Sequence, residues 1–291
     1  MWALLRTLRP QQWVKNVLFV GAALVFSRHL GDAAYVARSA LAIAAFCALA
    51  GAVYAFNDVR DVALDRAHPT KQHRPIAAGE LAERTALVAA IALACGGLAT
   101  TFWLAWPCGV CAALYLAQNV AYSMKLKQLA FVDVALIVSG FLLRVLAGAY
   151  AIDVPASGWL LACTALLAAF LGLGKRAHEL AWAERTGAVE PTRASLAGYS
   201  IPVVRVVMLA LAVVTSLAYV AYTVDGHTVA FFGTDRLVLS APFVTLGLVR
   251  YLFLALWYPK DEPPTEAMLK DPWFLLDVVA AIAAVLYVIY G

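Results

Sequence analysis

Apolar residues in this chain come in runs long enough to cross a bilayer as a helix, which takes roughly 20 residues. Polar stretches interrupt the runs. The pattern predicts nine spans, at about 14–31, 36–57, 83–104, 106–123, 130–151, 156–174, 202–224, 236–257 and 273–290. The first of them is short and has polar flanks. Long polar loops are expected at 58–82 and 175–201, shorter ones at 124–129 and 258–272, and brief connections elsewhere. There is no linker, low-complexity segment or clear tandem repeat. Residues 1–291 therefore read as one all-α domain of a polytopic membrane protein.

Composition agrees: 64% of the 291 residues are apolar and only 14% are charged, against about 25% charged in soluble domains. The N-terminus does not read as a cleavable signal, because its first apolar run comes late and no small-residue cleavage site follows cleanly. All five Cys lie inside apolar runs, as small packing residues do. With the N-terminus inside, seventeen Lys/Arg fall on the inner side and only Arg28, Arg38 and Arg236 outside. That positive-inside bias places the chain in the inner (cytoplasmic) membrane with its charged clusters, and its site, on the cytoplasmic side.

The most telling polar stretch is 57–75, NDVRDVALDRAHPTKQHRP. On a helix, Asn57, Asp61 and Asp65 recur every four residues on one side, with Asp58 close by. Carboxylates this close repel unless a cation lies among them, and hard oxygen donors shared with water and phosphate suit Mg²⁺. Lys71, His73 and Arg74 add positive charge at the same mouth. The pattern fits a metal–phosphate site better than a solvated mixed-charge loop.

Further charges lie where the membrane makes them costly. In the fifth span Asp133, Ile137, Gly140 and Arg144 form one helical stripe. Arg144 there suits either a buried salt bridge or a phosphate in a polar cavity, which its planar fork grips well. Tyr122 and Lys125 share a face at the end of the fourth span. Lys175, Arg176, His178 and Glu179 open the second long loop, where Lys175 and Glu179 have the spacing of a helical pair. Trp13 and Lys15, in RPQQWVKN, have an ordinary interfacial anchor pattern.

The motif in 57–75, followed by Tyr122 and Lys125, resembles the UbiA superfamily of intramembrane transferases, and the likeness spans essentially the whole chain. It implies about nine helices around a central cavity open to the cytoplasmic side, and an N-D-x-x-D-x-x-x-D motif holding Mg²⁺ and a diphosphate. Most members are prenyltransferases with a second Asp-rich motif after the sixth span. This chain departs from them: it has no Asp between Asp153 and Asp225, and offers Lys175 and Arg176 instead. The set RPQQWVKN, NDVRDVALDRAHPTKQHRP, YSMKLK, VDVALIVSGFLLR and GKRAHEL is similar to one branch, the decaprenyl-phosphate phosphoribosyltransferases.

The resemblance implies transfer of 5-phosphoribose from phosphoribosyl pyrophosphate (PRPP) to a polyprenyl phosphate, for a cell-wall arabinan precursor. Asn57, Asp61 and Asp65 are then metal ligands, and Asp58, Asp61 and Asp65 the catalytic carboxylates. Lys15, Asn57, Lys71, Arg74, Tyr122, Lys125, Arg144, Lys175 and Arg176 become substrate contacts. Nothing calls for nucleic acid, and a homo-oligomer is compatible with the pattern. Two other readings remain: an aromatic prenyltransferase using a polyprenyl diphosphate, and a transporter gated by Asp133 and Arg144.

Overall fold

Short elements open the chain: α1 (Trp2–Thr7), a 3-10 turn at Pro10–Gln12, α2 (Val14–Val20) and α3 (Ala22–Phe26). Pro10 starts the turn, and Arg9 before it adopts a left-handed backbone with φ 52° and ψ 66°. This is a computed structural model, and it describes residues 2–68, 70–124, 129–186, 196, 198–257 and 264–291. Together α2 and α3 are an apolar segment, Val14–Phe26, that covers about 20 Å. That is less than the roughly 30 Å hydrocarbon core, so the first expected span is a broken, shorter segment.

Asp32 then caps α4 (Ala33–Arg60), its carboxylate accepting from the Ala34 amide. This 28-residue helix is about 42 Å long, which carries it past the apolar layer and into the acidic motif. Asp61 leaves helical geometry, and α5 (Val62–Ala67) resumes directly. Next come α6 (Glu83–Leu104), α7 (Trp106–Met124) and α8 (Val132–Ala151). They are followed by α9 (Gly158–Thr186), α10 (Ile201–Val224), α11 (Gly226–Phe232), α12 (Ala241–Leu256), α13 (Pro264–Leu269) and α14 (Pro272–Tyr290). No strand occurs among the described residues, so the all-α expectation holds.

Among the described residues, seven helical segments are long and apolar enough to cross a membrane: α4, α6, α8, α9, α10, 236–256 and α14. They make the chain a multi-pass membrane protein. At the fourth expected position, α7 has the length of a span, but Gln118, Asn119 and Ser123 make it less apolar. Large apolar side chains such as Val206, Val213, Leu217, Leu276 and Val279 are exposed on α10 and α14, as lipid-facing positions should be.

The chain forms two compact units: Met1–Met124 with Leu142–Ala156, and Lys125–Phe141 with Ser157–Gly291. In the first, Val20, Phe46, Leu49, Cys108, Ala112 and Ala147 form a dry core. Gly97 lets α6 lie against α4, since a Cβ there would come within 2.8 Å of Leu49 and 3.0 Å of the Ala45 carbonyl. Gly148 does the same for α8 and α2, where a Cβ would lie 1.9 Å from the Val20 carbonyl oxygen. Arg38 donates to the carbonyls of Leu104 and Ala151, both at 2.7 Å, satisfying two helix ends that have no intrahelical donor. In the second unit Phe170, Met208, Tyr251 and Leu252 are the core, and Tyr251 donates its hydroxyl to the Leu171 carbonyl at 3.1 Å.

The second polar loop starts later than expected. Lys175 and Arg176 lie inside α9, which continues to Thr186. The run KRAHELAWAER is made largely of good helix formers, and Arg176 pairs with Glu179 three residues on, which supports the extra turns.

Candidate active site

The acidic motif lies at the end of α4 and through α5, yet its carboxylates do not line up as the four-residue spacing predicts. Asp58 and Asp65 are buried, at 2% and 3% exposure. A single atom joins them across the break at Asp61: Arg74 Nη1 lies 3.1 Å from Asp58 Oδ1 and 2.7 Å from Asp65 Oδ2. Arg9 Nη2 meets the same Asp58 oxygen at 2.7 Å, with its guanidinium 4.8 Å from the centre of the Tyr54 ring. Asp61 turns elsewhere, toward Nε and Nη2 of Arg60 at 3.1 and 2.8 Å. Arg60 also donates to the Ser123 carbonyl, which anchors the motif to the end of α7.

Arg9 was not among the residues singled out in the sequence. A left-handed backbone at a non-glycine residue costs about 1–3 kcal/mol, and the residue before a proline normally stays extended. The ion pair to Asp58 and the contact with Tyr54 fix the residue there. Nearby, Arg6 pairs with Glu80 at 2.8 Å and donates to the His73 carbonyl at 3.4 Å. Residues 2–12 are thus clipped across the loop that follows the motif. Lys71 stands exposed on the 3-10 turn Lys71–His73 of that loop. Burial and the neighbouring Lys71 push the His68 imidazole below its ordinary range, so it is neutral at pH 7.

Asn57 Oδ1 is buried and accepts no hydrogen bond among the described residues. An orphaned oxygen one turn before Asp61 suits a hard cation. Among the described residues no group of three or more His, Cys, Asp or Glu converges to form a complete cage. The donor set therefore fits an ion that keeps water and takes the rest of its shell from phosphate, as Mg²⁺ does.

A second polar cluster is built within the first unit around Arg144, 9% exposed on α8. Its Nε donates to Asn16 Oδ1 at 2.7 Å and its Nη2 to the Tyr115 hydroxyl at 2.9 Å. The guanidinium also lies 4.5 Å from the Tyr115 ring centre, and Asn16 Nδ2 reaches Cys47 Sγ at 3.5 Å. Half-buried Lys15 is next to Asn16 on α2. Tyr122 is half-buried near the end of α7. Lys125 lies outside the described residues. Tyr115 went unnoticed in the sequence because it sits singly in an apolar run, and Asn16 lay within RPQQWVKN without being singled out; the hint for both was that an Arg at mid-span must find polar partners somewhere.

The third cluster belongs to the second unit. Arg176 is fully buried, its Nε 3.3 Å from Asp133 Oδ2, and it also pairs with Glu179. Tyr199 donates to Asp133 Oδ1 at 2.6 Å and accepts from the Phe131 amide at 2.7 Å. Burial and the Asp133 carboxylate raise the Tyr199 phenol above its ordinary range, so it stays a donor. Glu179 pairs with Arg176, Lys175 is half-buried on α9, and Asp133 is held by Arg176 and Tyr199. Arg250, also overlooked in the sequence, clasps Asp271 with Nε at 3.1 Å and Nη2 at 2.6 Å, fixing the residue that caps α14.

This is an all-α membrane protein in which the end of α4 and the helix α5 that follows carry buried acids held by arginines. Residues 17–276 match the UbiA prenyltransferase family, and the chain belongs to it. The decaprenyl-phosphate phosphoribosyltransferase of Mycolicibacterium smegmatis is 38% identical over 262 residues, covering 85% of this chain and 80% of the relative. The protein of that name from Corynebacterium glutamicum is 36% identical over 295 residues, covering 98% and 84%. Among solved structures, a UbiA homolog from Archaeoglobus fulgidus bound to GPP and Mg²⁺ has a TM-score of 0.73 at 17% identity, over 99% of this chain and 100% of that one. That likeness establishes the fold.

Proposed function

We propose that this chain is a phosphoribosyltransferase that moves 5-phosphoribose from PRPP to a polyprenyl phosphate, releasing pyrophosphate, with Mg²⁺ as its metal. The reading is carried by the 36–38% identity, over most of the chain, to relatives named for this reaction. The charge pattern of the site supports it. The reaction brings together a diphosphate, a 5-phosphate and a lipid phosphate, and so calls for one metal and many cations. The reading assigns Lys15, Lys71, Arg74, Arg144 and Lys175 to that capacity, together with Tyr122 and Lys125.

Bound through Asn57, Asp61 and Asp65 together with substrate oxygens, Mg²⁺ would neutralise charge on the leaving pyrophosphate. The bond from C1 to the pyrophosphate oxygen breaks, its electron pair leaving with pyrophosphate, as a lipid phosphate oxygen bonds to C1. Lys71 and Arg74 stabilise the departing charge. The lipid phosphate is already an anion, so no strong base is needed, and the work of the side chains is positioning. Asp58, buried between Arg9 and Arg74, orients those guanidiniums. Arg144, held in one pose by Asn16 and Tyr115, presents a fixed cation to a phosphate. Arg176, neutralised by two carboxylates, serves this reading best as a support for the helix that carries Lys175.

The same reading makes the whole chain one transferase domain, in the cytoplasmic membrane with N-terminus and site facing the cytoplasm. The test is a transfer assay in detergent with labelled PRPP, a polyprenyl phosphate and Mg²⁺. Label is expected in an organic-extractable lipid. Failure across several lipid lengths, with transfer from a prenyl diphosphate to an aromatic acid, would replace this reading with the prenyltransferase one.

A further inference from the structure

Asp58, Asp65, Arg9 and Arg74 form a quartet that is electrically neutral as it stands. Arg74 Nη1 bridges the two carboxylates at 3.1 and 2.7 Å, and Arg9 Nη2 adds a second contact to Asp58 at 2.7 Å. A cation already joins the acids, so a lone divalent ion approaching them must displace or face two guanidiniums. A divalent ion joined to a diphosphate carries net negative charge, and it offers any displaced arginine a new partner of the bidentate kind that guanidinium prefers.

The four groups also differ in freedom. The carboxylate side chains are 2% and 4% exposed and fixed in the protein, whereas those of Arg9 and Arg74 are 28% and 30% exposed on long, flexible stems. Arg9 has, in the face of Tyr54 at 4.8 Å, a resting surface for its charge when it leaves the carboxylate. The mobile members are the cations.

We propose that Arg9 and Arg74 are exchangeable counter-ions: they neutralise Asp58 and Asp65 while no metal is present and turn to the diphosphate when the metal arrives with it. This rests on the diphosphate site of the functional reading. It makes Arg9 a substrate-positioning residue, and it makes metal and diphosphate enter as one chelate, each raising the affinity for the other.

The experiment uses the full chain in detergent. Binding of Mn²⁺ alone is followed by loss of the free-ion paramagnetic resonance signal. Binding of labelled inorganic pyrophosphate with Mg²⁺ is followed by equilibrium filtration. Arg9→Gln and Arg74→Gln are expected to bind Mn²⁺ alone more tightly than the unaltered chain, by about tenfold for Arg74→Gln, within the usual span for coupled sites. Both are expected to bind pyrophosphate more weakly. Arg74→Lys, which restores a cation, should return Mn²⁺ affinity toward the original value. Arg9→Gln leaves Asp58 paired with Arg74, so it provides a folded variant if Arg74→Gln does not fold. A purely structural role for the arginines would lower both affinities or neither, and unchanged or weaker Mn²⁺ binding in Arg9→Gln and, where it folds, in Arg74→Gln overturns the exchange. If the unaltered chain binds no pyrophosphate at all, the functional reading falls and this inference with it. If pyrophosphate binds while Mn²⁺ affinity is insensitive to both arginines, the inference alone falls.

Discussion

Asp58 and Asp61 are three residues apart in one motif, yet the structure assigns them different work, and replacing each by Asn should separate the two. Asp58 is 2% exposed and holds two arginines. Breaking a fully buried ion pair costs about 3–5 kcal/mol. Here the arginine side chains are 28% and 30% exposed and Arg74 keeps Asp65, so water and the remaining partner recover part of that. A loss of about 2 kcal/mol is expected, which lowers the melting temperature by roughly 4–8 °C. Asp61 pairs with its chain neighbour Arg60, both about three-tenths exposed, and the loss of that exposed pair should cost less than about 1 kcal/mol. Thermal unfolding in detergent, measured beside the transfer assay, reads both. Asp61→Asn should abolish turnover at nearly unchanged melting temperature, whereas Asp58→Asn should lose stability as well. If Asp58→Asn melts within about a degree of the unaltered chain, the buried clasp contributes nothing. If both variants transfer normally, the motif is not the metal site.

Arg144→Met should raise the KM for a phosphate substrate by about 10- to 100-fold, the worth of one charge-assisted hydrogen bond. A fall in melting temperature with KM unchanged would make Arg144 a packing group. EDTA should stop transfer and added Mg²⁺ restore it, and turnover persisting in EDTA would remove the metal from the reaction. Arg176→Gln should unfold readily, because it leaves Asp133 buried without its charged partner, at a cost of about 3–5 kcal/mol. Reduced substrate affinity with an unchanged melting temperature would instead make Arg176 a direct phosphate contact.

What the sequence made legible was what the bilayer dictates. Runs such as 83–104 and 273–290 predict α6 and α14 almost to the residue, because in lipid a helix is the way for an open chain to satisfy its backbone. The first span was not legible as two short helices, since an apolar run does not reveal that it breaks at Gly21. The motif was visible in type but not in geometry. Four-residue spacing assumes an unbroken helix, and Asp61 leaves helical geometry, which puts Asp65 with Asp58. Arg74 could be found from its nearness in sequence. Arg9 could not, because 49 residues separate it from the carboxylate it meets, and Tyr115 is 29 residues from Arg144. Partners that distant leave no local pattern.

The backbone of Arg9 has a consequence for anyone redesigning this chain. Judged by local geometry alone, a left-handed position before proline asks for Gly, or failing that Asn, and Arg is among the poorer choices. An optimiser that scores each position by its own conformation would replace it and relieve the strain at that residue. The clasp on Asp58 would vanish in the same step. Local preference and long-range role pull in opposite directions here, a point of frustration in a sequence otherwise consistent with its fold. Position 9 is therefore one to hold constant while the lipid-facing surfaces of α10 and α14 are varied freely.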